Sequence, residues 1–384
     1  MKMHKSLFLT VISGAFVPFA LAGKICSDVE FSVTISATAV QVPTTLTLDS
    51  LLSFLALNVE SFIDVPINGS YAISATHCTS TVTNQDTNGI LQFLNHGIEG
   101  TRHEWSGLDG DGFSPYHGSN YSYVDFVTDL GYDSLAIDRL GSGSSDHPDP
   151  LLVVQLPAQI EVTHAIFEHI KSGYLGKTYK EAVYVGQSFG SILGHALATK
   201  YPNDADRIIL NGWSSAVINS SIATLGMDLV PAAVANPSVF GNLSAGYLAA
   251  TSISGFENID FYGGPAGGYY DPGTAEQDFA QIGTVTLGEV YTLALFNNVE
   301  ATEFSGKVLI IDGQYDGFFC GTDLISDNPN CGSGASSIPA QSKVAFPSAQ
   351  FDYHITPNTG HAVQYHYTQK ESFNKAHQWL LDTA

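Results

Sequence analysis

Residues 182–202, AVYVGQSFGSILGHALATKYP, set a serine between two glycines where an apolar run ends and a helical pattern begins. AVYVG is short, rich in β-branched residues and closed by glycine, as a buried strand is, whereas SILGHALATKYP has helical spacing and stops at Pro202. A strand that becomes a helix within so few residues crowds its neighbours, so Gly186 and Gly190 stand where a side chain would collide. Ser188 then projects above the sheet end with the positive end of the next helix beneath it, and the Phe189 amide points to where an oxyanion forms. The plain reading of the same pentapeptide is a small residue in a tight bend, and the rest of the chain decides between the two.

Outward from this turn the alternation repeats. ILQFLNHG (90–97) is a short apolar run ending in glycine, YVDFVTDLG (123–131) is helical, and YDSLAIDRLGSGSS (132–145) is another apolar run into a glycine loop. QIEVTHAIFEHIKSG (159–173) is helical, and DRIILNGWSS (206–215) reads as a strand. Buried strands alternating with helices require a parallel sheet covered on both faces, so the fold class is α/β. Residues 29–42 and 70–77 alternate apolar and polar as half-buried antiparallel strands do. From 214 to 305 the alternation stops in a region rich in Ala, Gly, Tyr and Phe, with helical stretches near 222–235 and 285–296. KVLIIDGQYD (307–316), QFDYHITPNTGH (350–361) and a final amphipathic helix resume it. The expected organisation is a core of 23–213 and 306–384 with a helical cap inserted at 214–305; a separate small domain is the second reading.

A serine hydroxyl needs a base, and the base needs an acid to hold its tautomer. Downstream strand ends supply both. VLIIDGQYDG offers Asp312 and Asp316, of which Asp316 lies further from the strand and is the candidate acid; NTGHAV places His361 before the last helix. The order Ser188, Asp316, His361 at successive strand ends raises this histidine above the other twelve. LNHGIEG (94–100) follows an earlier strand; His96 and Gly97 form its turn, and the Ile98 amide is the second oxyanion donor.

The stretches LNHGIEG followed by Trp105, YSYVDFVTDLGYDSLAIDRLGSGSS, VGQSFGS, LIIDGQYD and NTGHAV resemble the α/β-hydrolases, and specifically the secreted ones of filamentous fungi. The likeness covers roughly residues 85–215 and 305–384, and departs at Gln187, where histidine is frequent. It implies an α/β-hydrolase fold with a mostly parallel eight-stranded sheet, no metal or other cofactor, and a triad of Ser188, Asp316 and His361 with Ile98 and Phe189 as oxyanion donors. The cap transfers no substrate.

Composition bounds the setting. The chain of 384 residues is 44% hydrophobic and only 13% charged, which suits a large buried core. Residues 1–22 run from Lys2 and Lys5 through an apolar stretch to Ala20, Leu21 and Ala22, a secretory signal in preference to an anchor because the stretch is short for a bilayer. Its removal takes away two lysines and no acid, making the formal charge of −23 more negative, so nucleic acid and anionic membrane surfaces are not expected partners. Four cysteines in an exported chain suggest two disulfides; of three possible pairings, Cys26–Cys78 and Cys320–Cys331 are favoured. Sequons stand at Asn68, Asn120, Asn219 and Asn242.

DRLGSGSS lacks the third glycine of a dinucleotide loop, and no H-E-x-x-H is present; His361 with His366 makes a poor ligand pair. The expectation is a secreted serine hydrolase acting on an ester or lactone of a moderately apolar small molecule. A hydroxynitrile-lyase type of chemistry on the same triad and a non-catalytic ligand-binding relative are the alternatives.

Overall fold

Two long alternating runs open the sheet: β1 (Lys24–Val40) and β2 (Asp64–Ser80) pair antiparallel along their whole length, joined through α1 (Leu48–Leu55). The computed structural model describes residues 23–382 apart from 58–60, 111, 217–222, 263, 265–266 and 322–328; residues 1–22, expected above to be a secretory signal, and Asn219 lie outside the described residues. Alternation turns Phe31, Val33, Ile35 and Ala37 inward. Cys26 and Cys78 face each other in the register of this pair and form one disulfide; Cys320 and Cys331 form the other.

The apolar runs further on are strands largely buried on both faces, which is why they do not alternate, except for the half-exposed edge strand Gln350–Thr356. They are β3 (Ile90–Asn95), β4 (Asp133–Ile137), β5 (Glu181–Gln187), β6 (Arg207–Asn211), β10 (Lys307–Gly313) and β11 (Gln350–Thr356). Helices α2 (Tyr123–Asp129), α3 (Leu156–Lys171) and α4 (Phe189–Lys200) connect them, and α8 (Gln369–Asp382) closes the chain. The strand order is β1-β2-β4-β3-β5-β6-β10-β11, with β2 antiparallel to both neighbours and the rest parallel. From β3 the chain moves to β4 on one side and then to β5 on the other, so the order reverses there. The crevice outside the carboxyl ends of β3 and β5 is the place where such a sheet receives ligands.

Between β6 and β10 the chain is mixed rather than wholly helical, a correction to the helical cap expected above. It holds a second, three-stranded antiparallel sheet of β7 (Leu229–Pro231), β8 (Tyr247–Ala250) and β9 (Val285–Thr286). Around it lie α5 (Ile253–Asp260), α6 (Pro272–Ala280) and α7 (Leu287–Thr292). The helical readings near 222–235 and 285–296 hold at Ala232–Ala235 and Leu287–Thr292 but miss β7 and β9 beside them, because strands of two or three residues are too short to register as a period of two. The starts of α5 and α6 are set by Ser252 and Asp271, whose side chains accept from Gly255 N and Gly273 N.

Asn68, Asn120 and Asn242 are exposed. Among the described residues no helix is long and apolar enough to cross a membrane.

Candidate active site

Ser188 sits between β5 and α4 at φ 54° and ψ −116°, a strained conformation for a residue with a side chain. Its backbone is held from both directions: Ser188 N donates to Asn211 O at 3.0 Å, and Ser188 O accepts from Ser191 N at 2.8 Å and Ile192 N at 3.0 Å. The flanking glycines meet backbone. A Cβ on Gly186 would lie 2.5 Å from Gly190 C, and one on Gly190 would lie 2.1 Å from Asn95 O. The loop after β3 presses on the same turn, since a Cβ on Gly97 would approach Ser188 Cβ to 3.1 Å. His96 is fully buried beneath it, while Ile98 is partly buried against the core. Among the described residues no hydrogen bond engages the Ile98 or Phe189 amide, so both N–H groups are available to a ligand oxygen.

His361 lies in the loop after β11, and its Nδ1 meets Asp316 Oδ2 at 2.6 Å, with both residues buried. The other carboxylate oxygen, Asp316 Oδ1, accepts from Phe318 N and Phe319 N, each at 2.8 Å. An acceptor-only carboxylate assigns the proton to Nδ1 and leaves Nε2 with its lone pair. That Nε2 is buried without a hydrogen-bond partner among the described residues. Phe318 and Phe319 lie against the ring, their centroids 4.4 and 5.7 Å away.

No hydrogen bond joins Ser188 Oγ to His361 among the described residues; the elbow reaches the histidine through its neighbour. Gln187 Nε2 donates to His361 O at 3.0 Å, which is a structural use for the residue where the resemblance departs. A Cβ on Gly212 would come within 2.8 Å of Gln187 Nε2 and 2.9 Å of the His361 ring. His366 braces the same loop, accepting from Gly360 N at 2.9 Å and donating through Nδ1 to Ala362 O at 2.9 Å. Asp312, the acid passed over, is fully buried; burial, with the Asp316 charge second, pushes its carboxyl well above the usual range, and its Oδ1 has no hydrogen-bond partner among the described residues.

Burial pulls the His361 imidazole down, but the Asp316 carboxylate bonded to it outweighs burial, with Asp260 adding to it, and raises it above 6.5. A base must be neutral to accept a proton, so the rate falls as pH drops through this raised value. We expect the acid limb of kcat/KM for p-nitrophenyl butyrate to lie above pH 6.5, the ordinary imidazole position; a rate that stays flat well below it contradicts the assignment.

Three side chains with no role in the sequence reading join this set. Glu104, buried, takes Gly97 N on Oε2 at 3.2 Å and Gln364 Nε2 on Oε1 at 3.1 Å, so one carboxyl ties the Ile98 loop to the His361 loop. Burial raises it to about 8. Arg139 reaches the carbonyls of His96 and Gly97. Their only mark in the sequence is polarity beside apolar runs. The DRLGSGSS loop is no anion cradle: Asp138 accepts from Arg102 N at 2.8 Å and Ser144 N at 2.9 Å, and Gly143 at φ 54° closes on its carboxylate.

The serine on its strand-to-helix turn, the histidine bonded to a buried aspartate and two amides with no hydrogen-bond partner among the described residues all follow the carboxyl ends of strands in a mostly parallel sheet. The model of the alpha/beta hydrolase family matches residues 96–370, and the chain belongs to that family. Among solved structures, a probable hydrolytic enzyme from Pseudomonas aeruginosa PAO1 is similar at 17% identity and TM-score 0.50, covering 82% of this chain and 90% of that one. A thermophilic esterase from Thermogutta terrifontis is similar at 17% identity and TM-score 0.48, covering 82% and 95%. Epoxide hydrolase VrEH1 from Vigna radiata stands at 11% and 0.48, covering 81% and 95%. At 17% identity the likeness to the Pseudomonas enzyme is one of fold. No curated protein matches the chain.

Proposed function

We propose that the protein is an exported serine hydrolase that cleaves a carboxylic ester or lactone of a moderately apolar small molecule, with residues 214–305 serving as its cap. Ser188 Oγ attacks the carbonyl carbon while His361 Nε2 takes the hydroxyl proton. The carbonyl oxygen becomes an oxyanion received by the Ile98 and Phe189 amides. Asp316 holds the Nδ1–H tautomer and balances the imidazolium, which returns its proton to the leaving alcohol. Water, activated by the same histidine, then attacks the acyl-enzyme and releases the acid.

The observation that most supports this reading is the pairing of His361 with Asp316 at 2.6 Å, with Nε2 left free, in a loop tied to the elbow by Gln187. Export is supported by the two disulfides, and Asn68, Asn120 and Asn242 are the candidate glycan sites. A fluorophosphonate probe tests the chemistry. Stoichiometric labelling, mapped to Ser188 by peptide mass and blocked by prior acylation, is the expected result. Folded protein that resists the probe overturns the nucleophile and favours a lyase or binding role.

A further inference from the structure

We propose that Arg139 is a positioning residue of the oxyanion hole: its guanidinium grips the carbonyl side of the 97–98 peptide so that the Ile98 N–H faces the reacting oxygen, and Glu289 from the insertion holds the guanidinium in turn. The inference rests on the acyl-transfer reading above.

Arg139 follows β4 and is 1% exposed. Its Nε donates to His96 O at 3.2 Å and its Nη2 to Gly97 O at 2.9 Å, while Nη1 pairs with Glu289 Oε1. The Gly97 carbonyl also receives His96 Nδ1–H at 2.7 Å, a tautomer fixed because Arg139 N donates to His96 Nε2 at 3.0 Å. Gly97 C=O and Ile98 N–H belong to one planar trans peptide and point in opposite directions. Two donors on the oxygen therefore aim the N–H, and a charged one among them polarises the peptide and makes that N–H a stronger donor. The same guanidinium lies 4.6 Å from the ring centroid of Phe189, the residue with the other amide. One side chain thus touches the peptide group that carries one donor and the residue that carries the other.

Glu289 is itself fully engaged. Besides Arg139 it accepts from Gln159 Nε2 at 3.0 Å and, as the third residue of the α7 capping box, from Thr286 N at 3.0 Å. It links the insertion to the oxyanion loop through a single buried ion pair. Stability alone does not call for the arrangement, since a buried ion pair roughly breaks even against apolar side chains of equal volume.

The test uses the full exported chain with both disulfides intact. Arg139→Lys keeps a charge for Glu289 but has no planar fork for two carbonyls; the double variant Arg139→Gln with Glu289→Gln removes both charges together, in case the lysine variant fails to fold. Arg207→Lys, at the distant pair with Glu181, controls for general loss of a buried guanidinium. We expect kcat for p-nitrophenyl butyrate to fall roughly 10²-fold, the lower end for loss of one oxyanion donor, with KM within about threefold. Affinity for a trifluoromethyl ketone, which forms an oxyanion on Ser188, falls in parallel, and Arg207→Lys leaves both unchanged. A folded variant with kcat within about threefold of wild type, or with kcat lost but ketone affinity kept, overturns the role of Arg139. Fluorophosphonate labelling of the wild type separates the two levels: an unreactive wild type overturns the hydrolase reading and this role together, whereas a reactive wild type with unaffected Arg139 variants overturns only the latter.

Discussion

Asp316→Asn should lower kcat by about 10⁴-fold with the fold intact, and Ser188→Ala should remove nearly all turnover. The aspartate effect follows from how the loop holds it. Phe318 N and Phe319 N both donate to Asp316 Oδ1, so an asparagine there must turn its carbonyl oxygen toward them. Its NH₂ group then faces His361 Nδ1, where the carboxylate Oδ2 now accepts at 2.6 Å. Two donors cannot share that contact, so the imidazole is driven to the other tautomer, with its proton on Nε2 and no lone pair for the serine hydroxyl. Ser188→Ala removes one oxygen and keeps the backbone contacts to Asn211, Ser191 and Ile192. Steady-state rates on p-nitrophenyl butyrate, beside near-ultraviolet dichroism of each variant, check both. Substantial turnover in a well-folded Ser188→Ala removes the acyl-enzyme mechanism.

Gly190→Ala should cost more than about 5 kcal/mol and lower the melting temperature by roughly 10 °C or more. A methyl group there would meet Asn95 O at 2.1 Å, Asn95 C at 2.8 Å and His96 O at 2.9 Å. These are backbone atoms at the end of β3, and no rotamer change moves them. Relief requires α4 to pull away from the loop carrying Gly97 and Ile98, which opens the space where the two amides converge. Activity and stability therefore fall together. Gly176, at φ 80° with nothing within 4 Å of an added Cβ, is the comparison, because alanine there meets backbone strain alone. Calorimetry on the two variants checks the difference; a Gly190→Ala protein as stable as Gly176→Ala refutes the close approach.

Much of this architecture is legible in the residue pattern, for a local reason. Buried parallel strands are near-continuous apolar runs, as in VLII before Asp312, and the helices between them repeat at 3.6 residues, so each element announces its burial from its own few side chains. The elbow is legible too, because Gly186 and Gly190 are demanded by contacts within five residues of Ser188 and by one close strand. Asp316 is chosen over Asp312 for its distance from the strand end, and the structure places it against His361 in a turn where Asp316 N donates to Gly313 O at 3.1 Å and Cys320 N donates to Asp316 O at 3.1 Å. In the insertion the pattern fails where strands shrink to the two residues of β9, whose burial depends on β8 rather than on any repeat of their own.

Polar partners reached across the fold are a different matter. Arg139 meets His96 O across 43 positions of the chain and Glu289 across 150, and Glu104 meets Gln364 across 260. Periodicity records which face of a segment is dry; it holds no information about which distant donor or acceptor will arrive there. Strand, helix and elbow are therefore written in short-range pattern, whereas the aim of the Ile98 amide and the tie between its loop and His361 come into being with the packing. A buried polar group is satisfied only by what the finished topology brings within hydrogen-bond distance.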